Sequence, residues 1–119
     1  HHKSLLKDAK GYYKQAIITD GFFNNSQNSI TAEFTNNFET VFNHKPQFLE
    51  AISYDTASLL FSTAMDEKID SREMLKNELQ GNRIFEGVTG TTLFDKEGKA
   101  QRELFLMTIK KGKFVEISR

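Results

Sequence analysis

The sequence predicts an α/β fold, with one short strand, three helices and a closing set of hairpin strands. Three observations carry this. Ala16-Ile17-Ile18-Thr19 is a short, β-branched apolar run, apolar residues recur at helical spacing between Ile30 and Leu79, and from Ile84 the period shifts towards two. At 119 residues the chain suits a single domain.

Taken in order, Leu5, Leu6 and Ala9 suggest a short helix that Gly11 would end with a left-handed cap. The apolar run then places a strand at about residues 15 to 19, covered on both faces as in a parallel sheet. Asp20 to Gln27 reads as a loop that must accommodate Phe22 and Phe23, either as core anchors or as a surface on which a ligand stacks.

Ile30, Phe34, Phe38, Val41 and Phe42 draw one apolar face on a helix from about 28 to 43, with Ser26 and Ser29 as alternative caps. Pro46 fits the first turn of the next helix, where its missing N–H costs nothing. That helix has a broad apolar face of Phe48, Leu49, Ile52, Leu59, Leu60, Ala64 and Met65, which predicts a deep position as far as about Lys68. Asp70 and Glu73 form a plausible capping box for a third helix, from about 71 to 80, with Met74, Leu75 and Leu79 inward and Gly81 as its stop. Beyond it, Asp95-Lys96-Glu97-Gly98 and Lys110-Lys111-Gly112-Lys113 have the composition of hairpin turns.

Composition excludes more than it assigns. Sixteen basic and sixteen acidic residues cancel, so no net field draws the chain to nucleic acid or to an anionic membrane. There is no cysteine, hence no disulfide and no thiolate site. No apolar run approaches the roughly 20 residues that span a bilayer. His1, His2 and His44 lack the spacing of a zinc site, so neither a metal nor a cofactor is expected. The loop at Asp95 lacks the alternating oxygen ligands of a calcium site. Gly87-Val88-Thr89-Gly90 has no P-loop lysine, and backbone geometry explains its glycines better than a phosphate does. No catalytic constellation is visible, so the chain is not read as an enzyme. Asp55 alone asks for explanation, as a carboxylate inside the most apolar helix. It is either tied to a neighbouring backbone or hydroxyl group or in contact with a ligand.

Several pieces, in this order and spacing, resemble one family. They are Gly11-Tyr12 leading into Ala16-Ile17-Ile18, Pro46 followed by Tyr54-Asp55-Thr56-Ala57, and Ser71-Arg72-Glu73 with Leu75. Gly87-Val88-Thr89-Gly90, Phe94-Asp95 with Gly98, and Gly112-Lys113-Phe114-Val115-Glu116 complete the set. From about Leu5 to Ile117 the chain resembles the C-terminal portion of a type I periplasmic solute-binding protein, in the branched-chain amino-acid receptor branch. The resemblance implies one partial domain, 1–119, of a two-lobed protein that closes by hinge motion on a solute. It also implies a missing N-terminal part, and exposed apolar surface that could drive self-association.

The resemblance further implies a non-catalytic component of an ABC importer, periplasmic or extracellular. Such a protein captures an amino acid or a related small polar or anionic solute and presents it to a membrane permease. An alternative from the same fold is a protein-interaction module that regulates a cell-wall synthase, as penicillin-binding protein activators do. Two ligand positions depart from the amino-acid pattern. Where relatives place a glutamate to pair with the ligand ammonium, this chain has Lys14, which would suit an anion, though it could equally be a solvated lysine at a strand edge. Leu49 stands at the aromatic wall position. Lys14, Leu49, Phe22 and Phe23 are therefore the candidate ligand contacts.

Overall fold

The computed structural model describes residues 16–66, 68–81 and 83–118. The first expected helix, Lys14, His1 and His2 lie outside this range. The α/β architecture is as the sequence predicts: β1 (Ile18–Asp20), α1 (Ser29–Phe42), α2 (Phe48–Ala64) and α3 (Arg72–Gln80), followed by β2 (Phe85–Gly87), β3 (Gly90–Phe94), β4 (Ala100–Arg102), β5 (Phe105–Lys110) and β6 (Lys113–Ser118).

The strands form two separate antiparallel sheets, β1-β5-β6 and β2-β3-β4. The expected parallel setting of the first strand is corrected. Ile18 faces Met107 and Asp20 faces Phe105 in an antiparallel ladder, and Ile17 is exposed. The expected cover on both faces is corrected too: Ile17 and Thr19 are exposed, with Ala16 and Ile18 half-buried between them. Beyond β1 the edge is held by the Thr108 hydroxyl, which donates to the Ala16 carbonyl at 3.0 Å. In β5 the apolar residues on both faces resolve into one inward row, Phe105, Met107 and Ile109, with Leu104 and Leu106 exposed.

The helix positions agree with the periodicity, but their ends and faces need correction. Asn28, not Ser26 or Ser29, caps α1, its Oδ1 accepting from the amides of Ile30 at 3.0 Å and Thr31 at 3.3 Å. Pro46 is buried ahead of α2, with Gln47 as N-cap, so it shapes the approach to the helix rather than its first turn. The helix stops at Ala64, short of Lys68. Ser71 caps α3 in place of Asp70, accepting from the Met74 amide at 3.2 Å.

The buried stripes of α1 and α2 are narrower than their apolar faces. Thr31 and Thr35 are the buried residues of α1; Ala51, Asp55, Leu59 and Thr63, each four residues apart, are those of α2. Most of the broad apolar face expected to lie deep is open, with Leu49 73 % and Met65 81 % exposed.

Burial is divided between two clusters. Phe22, Ala51 and Val88 form one, with Phe34 packed edge-on against Phe22 at 6.2 Å. Phe23, Phe105 and Met107 form the other, with Ile18 and Phe114 against them. The adjacent phenylalanines thus enter different cores. The radius of gyration, 17.1 Å, exceeds the about 13.5 Å expected for one compact body of this length.

Candidate functional site

Between the two clusters lies a cavity of about 670 Å³. Its walls come from the end of β1 and the segment after it, the loop before α2, the first turn of α2, and the turn between β5 and β6. Each wall is fixed by local chemistry. Asp20 Oδ1 accepts from the Phe22 amide at 3.3 Å, turning the chain so that consecutive side chains diverge. Asn24 Nδ2 donates to the Pro46 carbonyl at 3.4 Å, and Lys45 Nζ donates to Asn25 Oδ1 at 2.9 Å. Ser26 Oγ donates to Glu116 Oε2 at 2.7 Å and accepts from the Asn28 amide, tying the same segment to β6. The turn from Lys110 to Lys113 is built on two left-handed residues, Lys111 and Gly112, at φ 50° and 72°.

Gly21 is required by one of these contacts. A Cβ there would stand 2.5 Å from Cε2 of Phe48, because the Phe48 ring lies against the Gly21 backbone. Phe22, Phe23, Phe48 and Phe114 give the cavity aromatic walls; Asn24, Asn25, Gln47, Lys45, Lys113 and Asp20 give it polar ones. A cavity of this size with a few placed polar groups is suited to holding a small molecule. Its lining offers ammonium, amide, carboxylate and aromatic contacts.

Of the residues singled out from sequence, Phe22 and Phe23 reach this cavity, but each is at least 97 % buried in its own cluster, with 3 % and 2 % exposure. Leu49 is exposed beside the cavity and does not line it; Phe48, its neighbour, does. Lys14 falls outside the described residues. Sequence reasoning missed Phe48, Lys45 and Lys113: two lysines beside turn residues look like any wet surface, and nothing local pairs Gly21 with a ring so far along the chain.

Asp55 does not line this cavity; it ties α2 to the turn between β2 and β3. Its Oδ1 accepts from the Val88 amide at 2.8 Å and its Oδ2 from the Thr89 amide at 2.8 Å and from the Thr89 hydroxyl. From α1, the Thr31 hydroxyl donates to the Val88 carbonyl at 3.0 Å. Both helices therefore grip the turn between β2 and β3. Of the two readings of Asp55, the structural one holds. Its carboxylate satisfies the buried amides of a tight turn. The glycines of that turn serve the backbone, as expected: Gly90 has φ 101°, and a Cβ on Gly87 would strike the Asp55 carboxylate at 2.5 Å.

A second hollow, about 620 Å³ and almost wholly apolar, runs along the open face of α2 past Ile52, Leu60, Phe61 and Leu75. Among the described residues no cluster could hold a metal ion, and no helix is long and apolar enough to cross a membrane.

Two buried clusters with a polar and aromatic cavity bordering both are thus the geometry of this chain. The model of the periplasmic binding protein family matches residues 2–113, and the chain belongs to that family. Solved structures agree in fold. A protein from Rhodospirillum rubrum, described as a candidate branched-chain amino acid ABC transporter, superposes with a TM-score of 0.86 at 22 % identity over 98 % of this chain and 34 % of its own. LivJ of Streptococcus pneumoniae, a branched-chain amino acid transporter substrate-binding protein in complex with isoleucine, gives 0.66 at 22 % identity over 98 % and 35 %. An ABC transporter solute-binding protein of Rhodopseudomonas palustris, in complex with 3,4-dihydroxybenzoic acid, gives 0.72 at 15 % identity over 98 % and 33 %. The chain thus spans about a third of the length of these proteins. No curated protein sequence matches it.

Proposed function

We propose that this chain is one partial domain, 1–119, of the extracytoplasmic solute-binding component of an ABC importer. It captures a small polar or anionic solute without chemical conversion, for delivery to a membrane permease. The observation that carries this is the cavity between the Phe22 and Phe23 clusters, lined by aromatic rings, amides, two ammonium groups and one carboxylate. Family membership supports the reading, as do fold neighbours whose solved complexes hold an amino acid or an aromatic acid. The remainder of the longer protein is the proposed cover for the apolar face of α2. Without it, that face promotes self-association.

Thermal unfolding with a panel of amino acids and small carboxylic acids tests the proposal. A solute at a hundred times its Kd should stabilise the folded chain by about 2.7 kcal/mol and raise its Tm accordingly. A flat response across the whole panel, from a chain that unfolds cooperatively, would rule out solute capture at this cavity by this chain alone, and the same panel on the longer protein then decides the importer reading.

A further inference from the structure

Resting on that solute-binding reading, we infer that the cavity selects a carboxylate carrying a flat, apolar body, in preference to an amino-acid zwitterion. Charge is the first argument. Lys45 and Lys113 both line the cavity, against the single carboxylate of Asp20. Lys45 Nζ is held by the neutral amide of Asn25 at 2.9 Å. The ion pair seen among the described residues, Arg83 with Glu78 at 3.7 Å, lies away from the cavity, so no described carboxylate neutralises either lysine. Asp20 Oδ1 is already engaged by the Phe22 amide, and Glu50, the nearest acid on α2, bends back to accept from the Gln47 amide at 3.1 Å. An incoming ammonium would meet two cations against one lining carboxylate, whereas a carboxylate meets two charged donors.

Shape is the second argument, and it is independent of the first. Phe48 lies with its ring against the Gly21 backbone and remains 43 % exposed, so the ring is held in place with part of its surface open. Phe114 and the edges of Phe22 and Phe23 complete an aromatic lining. A planar apolar body can stack on such walls, whereas a short hydrophilic anion gains nothing from them.

Isothermal titration of the full chain at low salt with benzoate, leucine, acetate and inorganic phosphate tests both arguments. Benzoate is expected to bind at least about tenfold more tightly than leucine or acetate. Lys113→Gln and Lys45→Gln should each weaken benzoate by about tenfold, and Lys113→Gln should leave the unfolding midpoint unchanged, since its side chain is exposed. Phe48→Leu should weaken benzoate more than acetate. Leucine binding as tightly as benzoate, or benzoate indifferent to both lysine substitutions, overturns the charge argument. Acetate or phosphate matching benzoate overturns the flat-body argument. Both results leave solute binding standing. A folded chain that binds none of the four, nor any other solute of the thermal panel, overturns the assignment of solute binding to this cavity.

Discussion

Replacing Gly87 with alanine tests the Asp55 lock directly, because the obstruction is a single side chain. The new Cβ would stand 2.5 Å from Cγ, Oδ1 and Oδ2 of Asp55 together, closer than any real contact. Gly87 does not have a positive φ, so an alanine backbone fits there and the strain comes from the carboxylate alone. The carboxylate cannot step aside without loosening its bonds to Val88 N, Thr89 N and the Thr89 hydroxyl. Overpacking of this kind costs about 1–3 kcal/mol, and charge-assisted hydrogen bonds contribute about 1.5–3 kcal/mol each. Gly87→Ala should therefore destabilise by about 3 kcal/mol.

Asp55→Ala leaves two buried amides without an acceptor, at about 1–3 kcal/mol each, for a total of about 2–6 kcal/mol. Adding Gly87→Ala to that variant should cost less than about 1 kcal/mol, because the atoms that the new methyl strikes are gone. The cycle is read by urea unfolding followed in the far ultraviolet, comparing midpoints at constant m. Additive costs would refute the reasoning, since they would mean that Gly87 is needed for something other than room for Asp55.

Three further outcomes are expected. Asn28→Ala should lose about 0.5–2 kcal/mol as the true cap of α1, while Ser29→Ala stays within a few tenths; the same unfolding experiment ranks them. Phe22→Ala and Phe23→Ala should each cost about 3–5 kcal/mol, and hydrogen exchange should separate them. The first should deprotect α1 and α2 before the β5-β6 hairpin, and the second should do the reverse, because the two rings sit in different clusters. Sedimentation velocity should show association that rises with concentration and weakens in Phe61→Glu, since Phe61 stands 69 % exposed on the apolar face of α2.

What the sequence disclosed follows the range of the forces involved. Helix spans were legible because periodicity is local: α1 was expected from about 28 to 43 and runs Ser29–Phe42. Which stripe would be covered was not legible. Thr31 is buried because it bonds a carbonyl 57 residues away, and periodicity of apolar residues is blind to a hydroxyl whose partner is so distant. Asp55 was legible as an anomaly, and its structural reading followed from the rule that buried charges are satisfied; its partners, 33 and 34 residues on, were not.

The site suffered most, for a reason specific to helices. Successive residues differ by about 100° around the axis, so a comparison that places an aromatic wall at Leu49 is displaced across the helix if the alignment slips by one. Leu49 points to solvent, whereas Phe48 turns its ring onto Gly21 and into the cavity. On the proposed reading of the cavity, the stacking surface inferred to be lost at Leu49 stands one position earlier, at Phe48. Gly21→Ala separates these two assignments: it should displace the Phe48 ring and weaken benzoate several-fold, while Leu49→Ala changes binding little. A loss in Leu49→Ala with none in Gly21→Ala would return the wall to Leu49.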